Sequence, residues 1–466
     1  AVTVNNGNSL TIDLNGHTLT AAANSQAFRI QGGALTIEDS IGTGVLQGSG
    51  TVTGNGGASW MSSSDSNNAL TLPGGTIRGL TATDGGGVYV DGGSFEMSGG
   101  TISACNATNA GGGVYVSSGS FKMSGGSIED CTAHEGAGVK VYASNGKTAS
   151  FSMTGGEIQN CNTDGVSIYA IGSGTSEFTM TGGTIEDNGG YGVWVDNGSA
   201  VMSGGSVKGS ERYDIYIGSR ATLTVNNTQV GGTVLNMGKI TGQGSAEFTG
   251  TVENSGYAAA GITGCKIHRI EHRSPYKGTN EGWTWDEYVY LLGYSWPTAK
   301  IPSGAGESIS LKFPSYITPK MENTLEIPEG VTVTVDLAGK PVSADTGASD
   351  IKIINNGTLT LIDSGTDGTL SIPIENDGVL NANGGTVTSE VTNKGTIQAT
   401  GTPVTHFTGT LVNQEGASVT AGDFRGCTIT NNGGTIGGDA ILENPEHDPE
   451  QRGAGSEAGG AGAMIA

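Results

Sequence analysis

Residues 85–105, GGGVYVDGGSFEMSGGTISAC, are followed almost at once by residues 111–131, GGGVYVSSGSFKMSGGSIEDC. A unit of this size cannot bury an apolar face alone, so the recurrence demands a fold in which neighbouring copies cover one another. Aligned on the Gly-Gly before a short apolar run, the series is GGTISAC at 99, GGSIEDC at 125, GGEIQNC at 155, GGTIEDN at 182 and GGSVKGS at 204. The steps are 26, 30, 27 and 22 residues.

Each period holds three short strand patterns separated by glycines, for example Val88–Val90, Phe95–Met97 and the run around Ile102. Three strands per period predict an all-β, three-sided solenoid, a parallel β-helix whose coils stack at roughly 4.8 Å. Alternation along each strand turns Val88, Val90, Phe95, Met97 and Ile102 inward. Val114, Val116, Phe121, Met123 and Ile128 repeat them, as do Val139, Val141, Phe151, Met153 and Ile158.

Glycine numbers 83 and proline 12, but the glycines come in pairs and triplets, which excludes a collagen repeat. The formal charge of −23 argues against nucleic acid or an anionic membrane as partner and fits an exported protein. No run of 18 apolar residues predicts a membrane-spanning segment, and the opening at Ala1, in mid-pattern, reads as a mature or excised fragment.

From about residue 225 the marker changes to an Asn followed closely by Gly, as in IINNGTL at 353, IENDGVL at 374, VTNKGTI at 391, LVNQEGA at 411 and ITNNGGT at 429. Because Asn and Gly both tolerate left-handed backbone angles, the pair is expected to turn a corner. A longer duplication pairs LTIDLNGHTLT at 10 with VTVDLAGKPVS at 333, and ALTIEDSIGTGVL at 34 with TLTLIDSGTDGTL at 358. The expected organisation is a first β-helix lobe over 1–264, an aromatic-rich non-repeat connector over 265–325, a second lobe over 326–442 and a flexible tail over 443–466.

The openings, the GGGVYV coils and the second opening around Asp336 together resemble exported, repeat-rich surface proteins of bacteria, particularly gut Gram-positive species, with pectate-lyase-like right-handed β-helices. The resemblance covers nearly all of the chain except 265–325 and the tail. It implies a secreted or surface-attached protein whose role ranges from adhesin to polysaccharide lyase or hydrolase.

Four groups of residues are candidates for chemistry. NTDG at 162–165 looks like the first catalytic motif of polygalacturonase-type hydrolases, with Asp164 as one carboxylate. The paired Asp-Asp, Gly-His-Gly and Arg-Ile-Lys motifs of that family do not occur, so the stretch reads as a corner. A lyase would need a base beside a cation, and Lys266, His268, Arg269, His272, Arg273, Tyr276 and Lys277 form the one dense set of such side chains. The alternative is a joint whose charges pair with acidic coils, in an irregular or exposed segment.

The third group is the outward column Tyr89, Tyr115, Lys140, Ser167, Trp194 and Tyr216, where exposed aromatics could stack on sugar rings or simply on each other. The fourth is the aromatic run that includes Trp283 and Trp285, which could be a sugar platform or the core of a small cap. There, residues 283–296 could form a short amphipathic helix.

Cys105, Cys131 and Cys161 fall in one column that continues with Asn188 and Ser210, which predicts free, buried thiols at a tight corner and no metal site. No nucleotide loop, zinc spacing, calcium nonapeptide or nucleophile elbow is found, so no cofactor is expected. Three readings follow. The leading one is a non-enzymatic extracellular stalk or adhesin displaying a face to host or matrix glycans or acidic polysaccharide. The others are a lyase or hydrolase with its site near 266–296, and a self-associating, tailspike-like subunit.

Overall fold

The computed structural model describes residues 1–48, 50–62, 67–254, 261–273, 280–281, 284–291, 295–296, 306–313, 319–321, 323–344, 350–400 and 402–442, with no side-chain description over 272–300. Among these residues every element is a strand, and the strand pairings between successive coils are parallel. The chain forms two compact units, one of 1–270 with 277–286 and one of 271–276 with 287–466. The strand Thr284–Leu291 stands where a helix was expected. Its run Tyr288, Val289 and Tyr290 is aromatic and β-branched, the composition that favours a strand.

In the first unit, equivalent residues of the first strand stack in register from Val2 through Phe28, Ser59, Val88, Val114, Val139, Val166, Val193, Ile215 and Val234 to Val252. The inward residues are buried as expected, with Val88, Phe95 and Ile102 at 0% exposure. Phe95, Phe121, Phe151 and Phe178 form a ring ladder with centroids 4.7, 4.7 and 5.2 Å apart. The coil spacing brings like on like at a distance suited to stacked rings.

The corner after the third strand is turned by a residue with left-handed φ: Ala104 at 49°, Asp130 at 55°, Asn160 at 53°, Asp187 at 52° and Gly209 at 71°. The cysteine that follows is free and buried, and its thiol closes the turn on the carbonyl two residues back: Cys105 on Ser103 at 3.4 Å, Cys131 on Glu129 at 3.3 Å and Cys161 on Gln159 at 3.5 Å. Asn188 does the same with its amide, donating to Glu186 O at 3.0 Å. Against the pull of Cys105, the neighbouring Cys161 and then burial raise the Cys131 thiol above its ordinary pKa.

In the second unit the glycine of the Asn-Gly marker is left-handed as expected at Gly416, φ 82°, and Gly433, φ 104°, but its other three copies have a different cause. Asn355, Asn376, Asn393 and Asn413 point inward and are fully buried. Each donates its Nδ2 to the Oδ1 of the next, at 2.6, 2.7, 2.9 and 3.1 Å as the ladder runs on to Asn431. None of these asparagines is left-handed, nor is Gly357, Gly378 or Gly395. The glycines are needed for space: a Cβ on Gly378 would meet Gly357 O at 2.1 Å, and one on Gly395 would meet Gly378 O at 2.0 Å.

The longer duplication is structural at both ends. Asp39 accepts N–H donors from Gly16 and Gly44, and Asp363 accepts them from Gly339 and Gly368. Asp13 and Asp336 each cap their own turn and reach Ser40 and Ser364 respectively.

Candidate functional site

The outward column forms in the expected register, Tyr89 on Tyr115, Tyr115 on Lys140, Lys140 on Ser167, Ser167 on Trp194 and Trp194 on Tyr216. Its first members are not exposed, however: Tyr89 and Tyr115 are 8% and 9% accessible. Long corners fold back over them. Thr81–Asp84 pairs with Asn106–Ala110, and single bridges join Asn106 to Thr132 and Ala110 to Glu135. This ledge lays Ala110 against the two tyrosines, with Trp60 and Tyr142 alongside. Burial pushes the Tyr115 hydroxyl above its ordinary pKa, reinforced by the Asp84 carboxylate.

The ledge stops where the corner shortens. Cys105 to Val114 is 9 residues (114 − 105) and Cys131 to Val139 is 8 (139 − 131), whereas Cys161 to Val166 is 5 (166 − 161). NTDG is that short corner, and it finishes the ledge. Asn162 Oδ1 accepts the Ala133 N–H at 2.9 Å and Thr163 Oγ1 accepts the Ala137 N–H at 3.3 Å, so the exposed edge carries no unpaired donor at these positions. Asp164 then accepts the Tyr191 N–H at 3.1 Å.

Beyond this end an open cleft of about 490 Å³ spans four successive coils. The ledge supplies His134 and Glu135 on one side, with Asn162 to Asp164, Gly190, Tyr191 and Arg212 along the corners and Trp194 and Tyr216 on the strand side. Burial raises the Asp164 carboxyl above its ordinary pKa, against the opposing pull of the Tyr191 N–H and the charges of Lys140 and Arg212. Arg212 lies over the Tyr191 ring at 5.6 Å. Among the described residues no carboxylate pairs with its guanidinium, which leaves the fork of donors exposed in the cleft.

The rings that line the cleft, Trp194 and Tyr216, are half-buried and belong to a stack. Tyr169 stacks on Trp194 at 6.5 Å and Trp194 on Tyr216 at 6.2 Å, with interplanar angles of 19° and 25°. Part of each ring is thus engaged by its neighbours in the stack. Besides these rings the cleft presents carboxylates, a guanidinium, an amide and backbone groups at fixed spacing.

The lyase candidates fall elsewhere. Lys266–Arg273 is a strand in which Ile267 and Ile270, three residues apart, are both buried, so its alternation is broken and neither face is cleanly apolar. Lys266 Nζ and His268 Nε2 both meet Glu247 Oε1, at 3.3 and 2.7 Å. His268 and then Gln229 and Lys266 hold that carboxyl down at a pKa of about 2. Arg269 lies half-buried on the same strand. The side chains of His272, Arg273 and Trp285, and Trp283, Tyr276 and Lys277 entirely, lie outside the described residues, as does the tail over 443–466.

The sequence reading left His134, Glu135, Tyr191 and Arg212 out of any site, and it set Asp164 apart from Trp194. The contraction of the corner from nine residues to five was the available signal.

The family model described as the right handed beta helix region matches residues 63–230. The fold is a right-handed parallel β-helix. The matched stretch contains the ledge and the whole cleft. No match was found among curated proteins or among solved structures.

Proposed function

We propose that this chain is a non-enzymatic, extracellular β-helical module, a stalk or adhesin of the bacterial surface type, that holds a glycan in the cleft at the end of the ledge. The observation that carries the reading is the cleft itself, an open groove across four coils lined by carboxylates, an amide, a guanidinium and partly exposed rings. An extended, hydroxyl-rich ligand suits such a groove, because Asp164 and Asn162 accept and donate at fixed places while Arg212 spans two oxygens at once. Glu135 is already paired with Lys140 and Asp164 with the Tyr191 N–H, so both carboxylates serve the architecture as well as the groove.

The test is calorimetric titration of the full chain with cello-, xylo- and galacto-oligosaccharides and with oligogalacturonides. Binding of at least one probe is expected, weakened about tenfold or more by Asp164→Asn or Arg212→Ala, since a hydrogen bond to a charged group is worth about 1.5–3 kcal/mol. No binding to any probe, or binding indifferent to both substitutions, would overturn the reading. Release of shorter sugars from a bound probe would replace it with a hydrolase in which Asp164 is the proton donor.

A further inference from the structure

Lys140 is the anomaly of the outward column. Its place is held by aromatic rings at Tyr89, Tyr115, Trp194 and Tyr216, yet here stands a lysine whose side chain is 3% exposed. Burying an ammonium group is costly unless every donor is used. Lys140 Nζ donates to Glu135 Oε2 at 2.8 Å and to Ser167 Oγ at 2.9 Å, and it sits 5.1 Å from the Trp194 ring centre and 5.7 Å from that of Tyr169. The next residue up the column, Ser167, is small and fully buried, which leaves room for the ammonium between coils.

We infer that Lys140 is a positioning residue for the cleft, a buried cation that fixes the Trp194 ring on one side and the Glu135 carboxylate on the other. The inference rests on the cleft being the ligand site. Glu135 closes the ledge and Trp194 stands on the strand two coils further on. Lys140 is a contact shared by both. A ring in its place would stack on Tyr115, as Tyr89 does, but would leave Glu135 without its cation. The two interruptions that break the aromatic column in the sequence are thus one device, with Ser167 giving the space and Lys140 filling it.

The experiment compares Lys140→Met, which keeps length and removes charge, with Lys140→Arg, which restores charge. Without any ligand, Lys140→Met is expected to move the tryptophan emission to longer wavelength as the Trp194 ring loosens. The shift should vanish when the substitution is made together with Trp194→Phe, and Lys140→Arg should recover much of the original spectrum. With whichever oligosaccharide probe binds the unmodified chain, affinity should fall about tenfold in Lys140→Met, comparable with the loss of one desolvated cation–π contact. An unchanged spectrum, or a shift that persists without Trp194, overturns the inference whether or not a glycan binds. Unchanged probe affinity in Lys140→Met, with the affinity still lost in Asp164→Asn, overturns it while leaving the cleft as the ligand site.

Discussion

The asparagine ladder of the second unit gives the sharpest test of how these coils hold together. Asn393 sits in its middle, fully buried. It accepts from Asn376 Nδ2 at 2.7 Å and donates to Asn413 Oδ1 at 2.9 Å and Ser418 O at 3.2 Å. In Asn393→Ala, Asn376 Nδ2 keeps its second acceptor, Thr396 O at 3.1 Å, but the Asn413 and Ser418 oxygens lose this donor. At about 1–3 kcal/mol for each of the two buried oxygens left unsatisfied, the loss should be about 2–6 kcal/mol. Asn431, at the half-exposed end of the ladder, accepts one ladder bond and can turn to water. Asn431→Ala should therefore cost less than about 1 kcal/mol. Asn393→Asp separates electrostatics from packing, since it exchanges a donor for an oxygen facing two other oxygens. Burial would raise the new carboxyl above its unfolded pKa, so the folded state binds the extra proton and stability declines as pH rises from the unfolded value through the raised one. Urea denaturation midpoints at pH 4 and pH 8 read both effects. A loss below about 0.5 kcal/mol for Asn393→Ala, or equal stability of Asn393→Asp at the two pH values, would refute the account of the ladder as a buried network in which Asn393 uses both its amide groups.

Three other outcomes are expected. Ala104 is the alanine of the left-handed corner series, at φ 49°, so Ala104→Gly should raise the thermal midpoint by the equivalent of about 0.5–1 kcal/mol, and a lowered midpoint would contradict the strain argument. Phe121 is buried between Phe95 and Phe151 with centroids 4.7 Å away on both sides, and Phe121→Ala should cost about 3–5 kcal/mol in denaturant titration. Carboxyl NMR should find Glu247 titrating near 2, moving toward its ordinary 4.5 in His268→Ala. The folded pKa is depressed, so the stability it contributes is present above 4.5 and disappears as pH falls through about 2; a carboxyl that titrates normally would dissolve the cluster.

Much of the fold was legible because stacking makes each coil a constraint on the next. Val88, Phe95 and Ile102 recur with their equivalents at fixed offsets, and a two-residue alternation leaves one inward set. The same alternation names the outward residues, and there its information ends. Outward from a strand means exposed only if nothing lies over it, and what lies over Tyr89 and Tyr115 is corner backbone from their own and neighbouring coils. No pattern within the strand carries that fact; the corner lengths do, since the longer corners of the earlier coils close a ledge and the five-residue corner at NTDG cannot.

The Asn-Gly marker was legible only in part for a related reason, being left-handed at Gly416 and Gly433 but not at Gly357, Gly378 or Gly395. Composition said that the pair turns corners, which it does, but the amide sought partners along the stack and the glycine made room for the backbone of the coil beneath. In both cases the missing quantity was the relation between coils at a corner. The cleft lies at such a place: Glu135, Asp164 and Arg212 come from three different corners, and they line one groove only because the first of those corners is long and the next two are short.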